Sequence, residues 1–154
     1  MSTYKIGAIF YALWGLLHIV GAGVLMLQAY TVGGATVLAA IGSATPAAAI
    51  PQFESELLAA VLAYYAWNLV WIGAFVLVVA IRSNWRNDAT GYWLNLIVVS
   101  AVDLGLVAML MIPGHMAWSD GGLGVALWLP AILFTTLGQL GRKGVKPAVQ
   151  LAAG

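Results

Sequence analysis

Cysteine is absent from this sequence, and charged side chains make up only 7% of it. The absence of cysteine excludes disulfides, iron–sulfur clusters, thiolate zinc sites and a cysteine nucleophile. The scarcity of charge excludes an ordinary soluble domain, in which about 25% of the residues are charged. Six residues are Lys or Arg, and the largest basic cluster is Arg142-Lys143 with Lys146. We therefore expect no nucleic-acid partner.

Hydrophobic residues make up 63% of the chain and fall mainly into four long blocks. The blocks cover residues 6–29, 57–81, 92–111 and 123–140. A helix of about 20 residues crosses a bilayer core of about 30 Å, because each residue adds about 1.5 Å. The sequence thus predicts one all-α membrane domain over residues 1–154, a bundle of four transmembrane helices in a lipid bilayer. Pro130 predicts a kink within the fourth span.

The connection between the first two spans, residues 31–56, is rich in glycine, alanine, serine, threonine and proline. Breakers such as Gly33-Gly34 and Thr45-Pro46 indicate that it does not cross the membrane. A pliable linker is the simpler expectation. The alternative is a short helix over Ala35–Ile41 that lies in the interface or over the mouth of the bundle.

Every basic residue falls at the N-terminus, in the second connection or at the C-terminus, and none falls in the other two connections. By the positive-inside rule, both termini and the Arg82–Ala89 loop are cytoplasmic, and residues 31–56 form an outer loop. The even number of spans agrees with this distribution, since both ends of the chain then lie on one side.

Four polar residues lie near the middle of predicted spans: His18, Asn68, Ser100 and Asp103. Asp103 is the only formally charged residue inside a span. An ionised Asp at the centre of a membrane helix costs about 2.5–3.5 kcal/mol on insertion scales. We therefore expect Asp103 to face the interior of the bundle and to find partners there.

The helical period places these polar residues on shared stripes with aromatic side chains. If the four stripes converge, they enclose an aromatic-walled pocket around His18, Asn68, Ser100 and Asp103. The remaining candidate lining residues are Tyr11, Trp14, Tyr64, Trp71, Tyr92 and Trp128. The alternative is that the polar side chains serve as hydrogen-bonding contacts between helices and that the aromatic residues serve for packing or interface anchoring.

A histidine and a carboxyl group that meet in a low dielectric could shuttle a proton, so His18 and Asp103 are the candidate catalytic pair. Aromatic walls would suit an apolar ligand such as a quinone, an isoprenoid or a sterol. A haem held by two histidines is disfavoured, because His115 follows the third span whereas His18 lies within the first. No metal site and no nucleotide motif is predicted.

The four-span plan with both ends inside resembles small bacterial four-helix membrane proteins of the DoxX-like type. The resemblance covers the whole chain as architecture, carries no residue-level motif, and implies a bacterial inner-membrane location with a link to quinone-dependent oxidation. The leading hypothesis is a protein that binds an apolar molecule, with enzymatic activity left open. The alternatives are an accessory subunit of a larger membrane complex and a proton-coupled transporter, and a homo-oligomer is compatible with each.

Overall fold

The computed structural model describes residues 1–50 and 55–144, which contain five α-helices. The predictions for residues 51–54 and 145–154 lie outside the described residues. Four of the helices are long and apolar enough to cross a membrane, which confirms the all-α, four-helix fold class. In chain order the helices are α1 Thr3–Thr31, α2 Gly34–Ile41, α3 Glu56–Arg82, α4 Ala89–Leu106 and α5 Trp118–Gly144.

Helix α1 packs along both α3 and α5, and α4 lies across the bundle, in contact with α3 and α5. Glycines make the close approaches possible. A Cβ on Gly15 would lie 2.6 Å from the carbonyl oxygen of Gly73, and a Cβ on Gly7 would lie 2.7 Å from the backbone nitrogen of Thr135. Small residues at helix crossings are typical of membrane bundles, where packing replaces the hydrophobic effect as the force between helices.

The first connection contains a helix, so the simpler expectation of a pliable linker is wrong for Gly34–Ile41. Val37 on this helix is buried against Ala29 of α1 and Ala63 of α3. The connection is also tied to the one between α4 and α5, since Ser43 Oγ accepts a hydrogen bond from the backbone nitrogen of Ala117 at 3.1 Å. These contacts hold the segment against the bundle.

The end of the bundle that carries Lys5, Arg82, Arg86 and Arg142 is named the basic end here. At this end Asn87 adopts a left-handed backbone with a φ of 58°. Its side chain donates to the carbonyl oxygen of Gly138 at 3.0 Å and accepts from Gln139 at 3.0 Å. The turn before α4 is thereby fastened to the last turns of α5.

Two helices contain irregular features that neither end the predicted spans nor shorten them. Helix α5 continues through Pro130, as expected for a proline in a membrane helix. Helix α4 is extended by a π-helical turn, Val107–Met111, in which the backbone nitrogen of Ile112 donates to the carbonyl oxygen of Val107 at 2.9 Å. Such wide turns recur at functional sites.

Candidate functional site

Three side chains meet at the middle of the bundle: Trp14 and His18 from α1 and Asp103 from α4. Asp103 and Trp14 are fully buried. The indole Nε1 of Trp14 donates a hydrogen bond to Oδ2 of Asp103 at 2.9 Å. Trp14 and His18 are one helical turn apart, and their rings stack with centroids 3.7 Å apart. The indole therefore contacts both the carboxyl group and the imidazole.

The imidazole of His18 also forms a hydrogen bond with the backbone through Nδ1. Nδ1 lies 2.9 Å from the carbonyl oxygen of Trp14. A carbonyl oxygen can only accept, so Nδ1 carries the proton and donates it. In the neutral ring this leaves Nε2 as an acceptor, and no described residue donates to it.

The second oxygen of Asp103, Oδ1, is buried and has no hydrogen-bond partner among the described residues. It faces Gly124 of α5. A Cβ on Gly124 would lie 3.4 Å from Oδ1 of Asp103, 3.8 Å from Cε1 of His18 and 3.9 Å from Nε1 of Trp14. Gly124 therefore packs against all three side chains, and its lack of a side chain lets α5 approach them.

His18 borders two partly open cavities, of about 450 Å³ and about 220 Å³. Leu69 and Leu106 also border both, so the two cavities are neighbours. The lining of the larger cavity is almost entirely apolar. It consists of His18, Tyr65, Leu69, Val102, Gly105, Leu106, Met109 and Leu110.

No family model, curated protein or solved structure matches this chain. The resemblance to DoxX-like proteins therefore stays a prediction, and the site must be interpreted from its own geometry.

Of the predicted site residues, Trp14, His18 and Asp103 come together as expected, but not as a directly bonded relay. None of the hydrogen bonds of the described residues joins His18 to Asp103, and each of the two groups instead contacts the indole of Trp14. An indole N–H can donate a hydrogen bond but cannot accept one. Trp14 thus positions the two groups and does not transfer a proton between them.

Four other predicted residues lie inside the bundle but line neither cavity beside His18. Ser100 accepts a hydrogen bond from Nε1 of Trp128 at 3.0 Å. The hydroxyl of Tyr92 lies 3.1 Å from that of Thr136. Both pairs connect α4 to α5. Tyr11 belongs to the buried core, and its hydroxyl has no partner among the described residues. These positions fit the alternative of contacts between helices.

The expected stripe of Tyr64, Asn68 and Trp71 does not face the pocket, and this part of the prediction is corrected. Tyr64 is 69% exposed and Trp71 is 59% exposed. Asn68 is exposed as well, and its Nδ2 donates to the carbonyl oxygen of Tyr64 at 2.7 Å. The opposite face of α3 carries the small residues that allow α1 to approach closely. Those buried residues include Ala63, Ala66, Gly73 and Val76.

The apolar lining from α4 was missed because nothing marked it as different from any other membrane face. Val102, Leu106 and Met109 follow one another at helical spacing beside Asp103, and Gly105 leaves space between them. A stripe that combines large apolar residues with one glycine was the available signal. It cannot be separated by sequence alone from a stripe that faces lipid.

Proposed function

We propose that this protein binds an apolar small molecule of the quinone, isoprenoid or sterol type in the larger cavity, beside His18. The observation that carries the proposal is a cavity of about 450 Å³ with an apolar lining and an imidazole on its wall. Ligand sites typically enclose about 300–1,000 Å³ and combine apolar walls with a few placed polar groups. Asp103 and Trp14 act as positioning residues, because Asp103 holds the indole of Trp14 through a hydrogen bond and the indole stacks on the ring of His18.

The proposal includes a location and an orientation. The protein would lie in the inner membrane of a bacterium, with the basic end toward the cytoplasm, as the positive-inside rule predicts. His18 is near the middle of α1, so a ligand beside it would lie at mid-membrane depth. An apolar molecule dissolved in the bilayer could reach that depth directly from the lipid. A role in quinone-linked oxidation, implied by the DoxX-like architecture, is the reaction class such a site would serve.

The proposal is tested by filling the cavity. Gly105 lines it, and a Cβ on Gly105 would meet no heavy atom within 4 Å. Gly105→Phe should therefore occupy the ligand space without a clash at the backbone. Gly23→Phe is the matched control, since Gly23 also lies in a spanning helix with open space at Cβ and lines neither cavity beside His18.

Native mass spectrometry with lipid extraction on wild type and both variants measures what is bound. We expect a specific apolar molecule in wild type and in Gly23→Phe, and its loss in Gly105→Phe. If all three samples carry the same bulk phospholipid and nothing else, the ligand-binding proposal is wrong.

One observation favours a second candidate function, an accessory subunit of a larger membrane complex. The outward face of α3 carries Tyr64, Trp67 and Trp71 around the amide of Asn68. A polar side chain at mid-span is expensive in lipid and serves well as a contact between helices of different subunits. A stoichiometric partner chain in the same native spectra, present in all variants, would support this candidate.

A further inference from the structure

We infer that the ligand of this cavity carries a hydroxyl group that donates a hydrogen bond to Nε2 of His18. The ligand class would then be an apolar alcohol or a quinol, and not an oxidised quinone or another molecule that can only accept. The inference rests on the proposed ligand-binding function and specifies the chemistry of the same site.

The first step is the tautomer of His18. Its Nδ1 and the carbonyl oxygen of Trp14 are 2.9 Å apart, which is a normal hydrogen-bond distance. The carbonyl has no hydrogen to offer, so the proton must be on Nδ1. The neutral ring then has a lone pair at Nε2 and no hydrogen there. A ligand that approaches Nε2 must supply the hydrogen itself.

The second step concerns the orientation of the imidazole of His18, which does not readily flip by 180°. A flip would place a ring carbon against the carbonyl oxygen of Trp14 and lose that hydrogen bond. The stacked indole covers one face of the imidazole, with an angle of 25° between the planes. Asp103 in turn holds the indole through Nε1. The acceptor is therefore oriented before any ligand arrives.

The third step concerns the competing polar group of the lining, the phenol of Tyr65. A phenol hydroxyl rotates and can either donate or accept, so it does not select between the two kinds of ligand. The neighbouring lining residues, such as Leu69 and Leu106, offer no polar group. Discrimination between donor and acceptor ligands therefore falls to His18.

The test uses three pairs of related probes, in each of which only one member carries a hydroxyl that can donate a hydrogen bond. The pairs are farnesol with farnesyl methyl ether, cholesterol with its methyl ether, and decylubiquinol with decylubiquinone. Affinities for the full-length chain in detergent are measured by native mass spectrometry titration. For the pair that fits, the donor-bearing member should bind about tenfold more tightly, since a buried acceptor left without a donor is costly. The pair that shows the preference identifies the source as isoprenoid, sterol or quinol.

Two variants separate His18 from the phenol. His18→Phe keeps an aromatic ring against Trp14 but removes Nε2, so both members of the pair should bind equally. Tyr65→Phe should keep the preference. If the histidine variant does not fold, the comparison in wild type still decides the question.

The outcomes also separate this inference from the proposed function. Equal binding of both members in wild type overturns the hydroxyl inference, while the cavity remains a site for apolar molecules. A preference that survives in His18→Phe overturns it as well. If none of the six probes binds, the proposed function fails and the hydroxyl inference fails with it.

Discussion

Replacing Gly73 by alanine should separate α1 from α3 and destabilise the protein. A Cβ on Gly73 would lie 2.7 Å from the carbonyl oxygen of Gly15 and 3.1 Å from both Cβ of His18 and the backbone nitrogen of Ile19. Two of these three atoms belong to the backbone of α1 and cannot rotate away. The two helices must therefore move apart, and His18 must move with α1.

The size of the effect follows from these distances. Ordinary van der Waals contact begins near 3.4 Å, so the 2.7 Å approach has to widen by about 0.7 Å. Radial gaps of about 0.5–1 Å forfeit a quarter to a half of the dispersion energy of the contacts they open. Overpacking of this kind costs about 1–3 kcal/mol. For a chain of this length, each kcal/mol lowers the melting temperature by about 2–4 °C, so we expect a decrease of about 2–12 °C.

Thermal unfolding in one detergent, followed by tryptophan fluorescence, measures the decrease. Gly23→Ala is the matched control, because a Cβ on Gly23 meets no heavy atom within 4 Å. Alanine is favoured over glycine inside a helix by about 0.5–1 kcal/mol, so the control should melt at or above the wild-type temperature. Equal melting temperatures for the two variants would refute the close crossing of α1 and α3.

Three further predictions concern side chains at other depths of the bundle. Asp103→Leu should lower the free energy of unfolding by about 1–3 kcal/mol, because it leaves the buried indole N–H of Trp14 without an acceptor. Asp103→Asn keeps an acceptor oxygen and should lower it less, and the melting temperatures of the two variants measure the difference. Asn68→Leu should leave ligand occupancy in native spectra unchanged, since this amide faces outward. Asn87→Ala should lower the melting temperature more than Asn87→Gly, because a left-handed backbone costs a non-glycine residue about 1–2 kcal/mol and both variants lose the hydrogen bond to Gly138.

Each of these predictions has a result that would contradict it. Equal melting of Asp103→Leu and Asp103→Asn would mean that the hydrogen bond from Trp14 contributes nothing. Loss of ligand in Asn68→Leu would mean that the stripe of α3 lines the pocket, which would contradict its exposed position. A higher melting temperature for Asn87→Ala than for Asn87→Gly would contradict the left-handed backbone of the turn.

The position of Asp103 could be predicted from sequence in part. A single carboxyl group inside a span must find an interior environment, and burial of Asp103 follows from that cost. Its partner could not be predicted in the same way, since a tyrosine, a histidine or an asparagine would also satisfy it. The structure decides the partner by placing Nε1 of Trp14, on α1, 2.9 Å from Oδ2 of Asp103 on α4.

The connection between the first two spans could also be predicted only in part from the sequence. Its glycines and prolines predicted that it would not cross the membrane, and none of the four candidate spans found among the described residues falls within it. They left the helix Gly34–Ile41 as an alternative to a pliable linker, and the burial of Val37 against Ala29 and Ala63 decides in its favour. Short helices are stabilised mainly by tertiary packing and only weakly by their own composition.

By itself, the sequence determined that this chain is an all-α membrane protein with four spanning helices. Length and hydrophobicity suffice for that conclusion, because every backbone group in a lipid core must be satisfied within its own helix. Only the tertiary structure decided which side of each helix faces the interior. The glycines at the crossing of α1 and α3 turned the aromatic stripe of α3 outward and left His18 beside the cavity. In a membrane, apolar residues are stable whether they face lipid or protein, so hydrophobic patterning cannot distinguish the lipid-facing side of a helix from the buried side. Close packing between helices decides which side is buried.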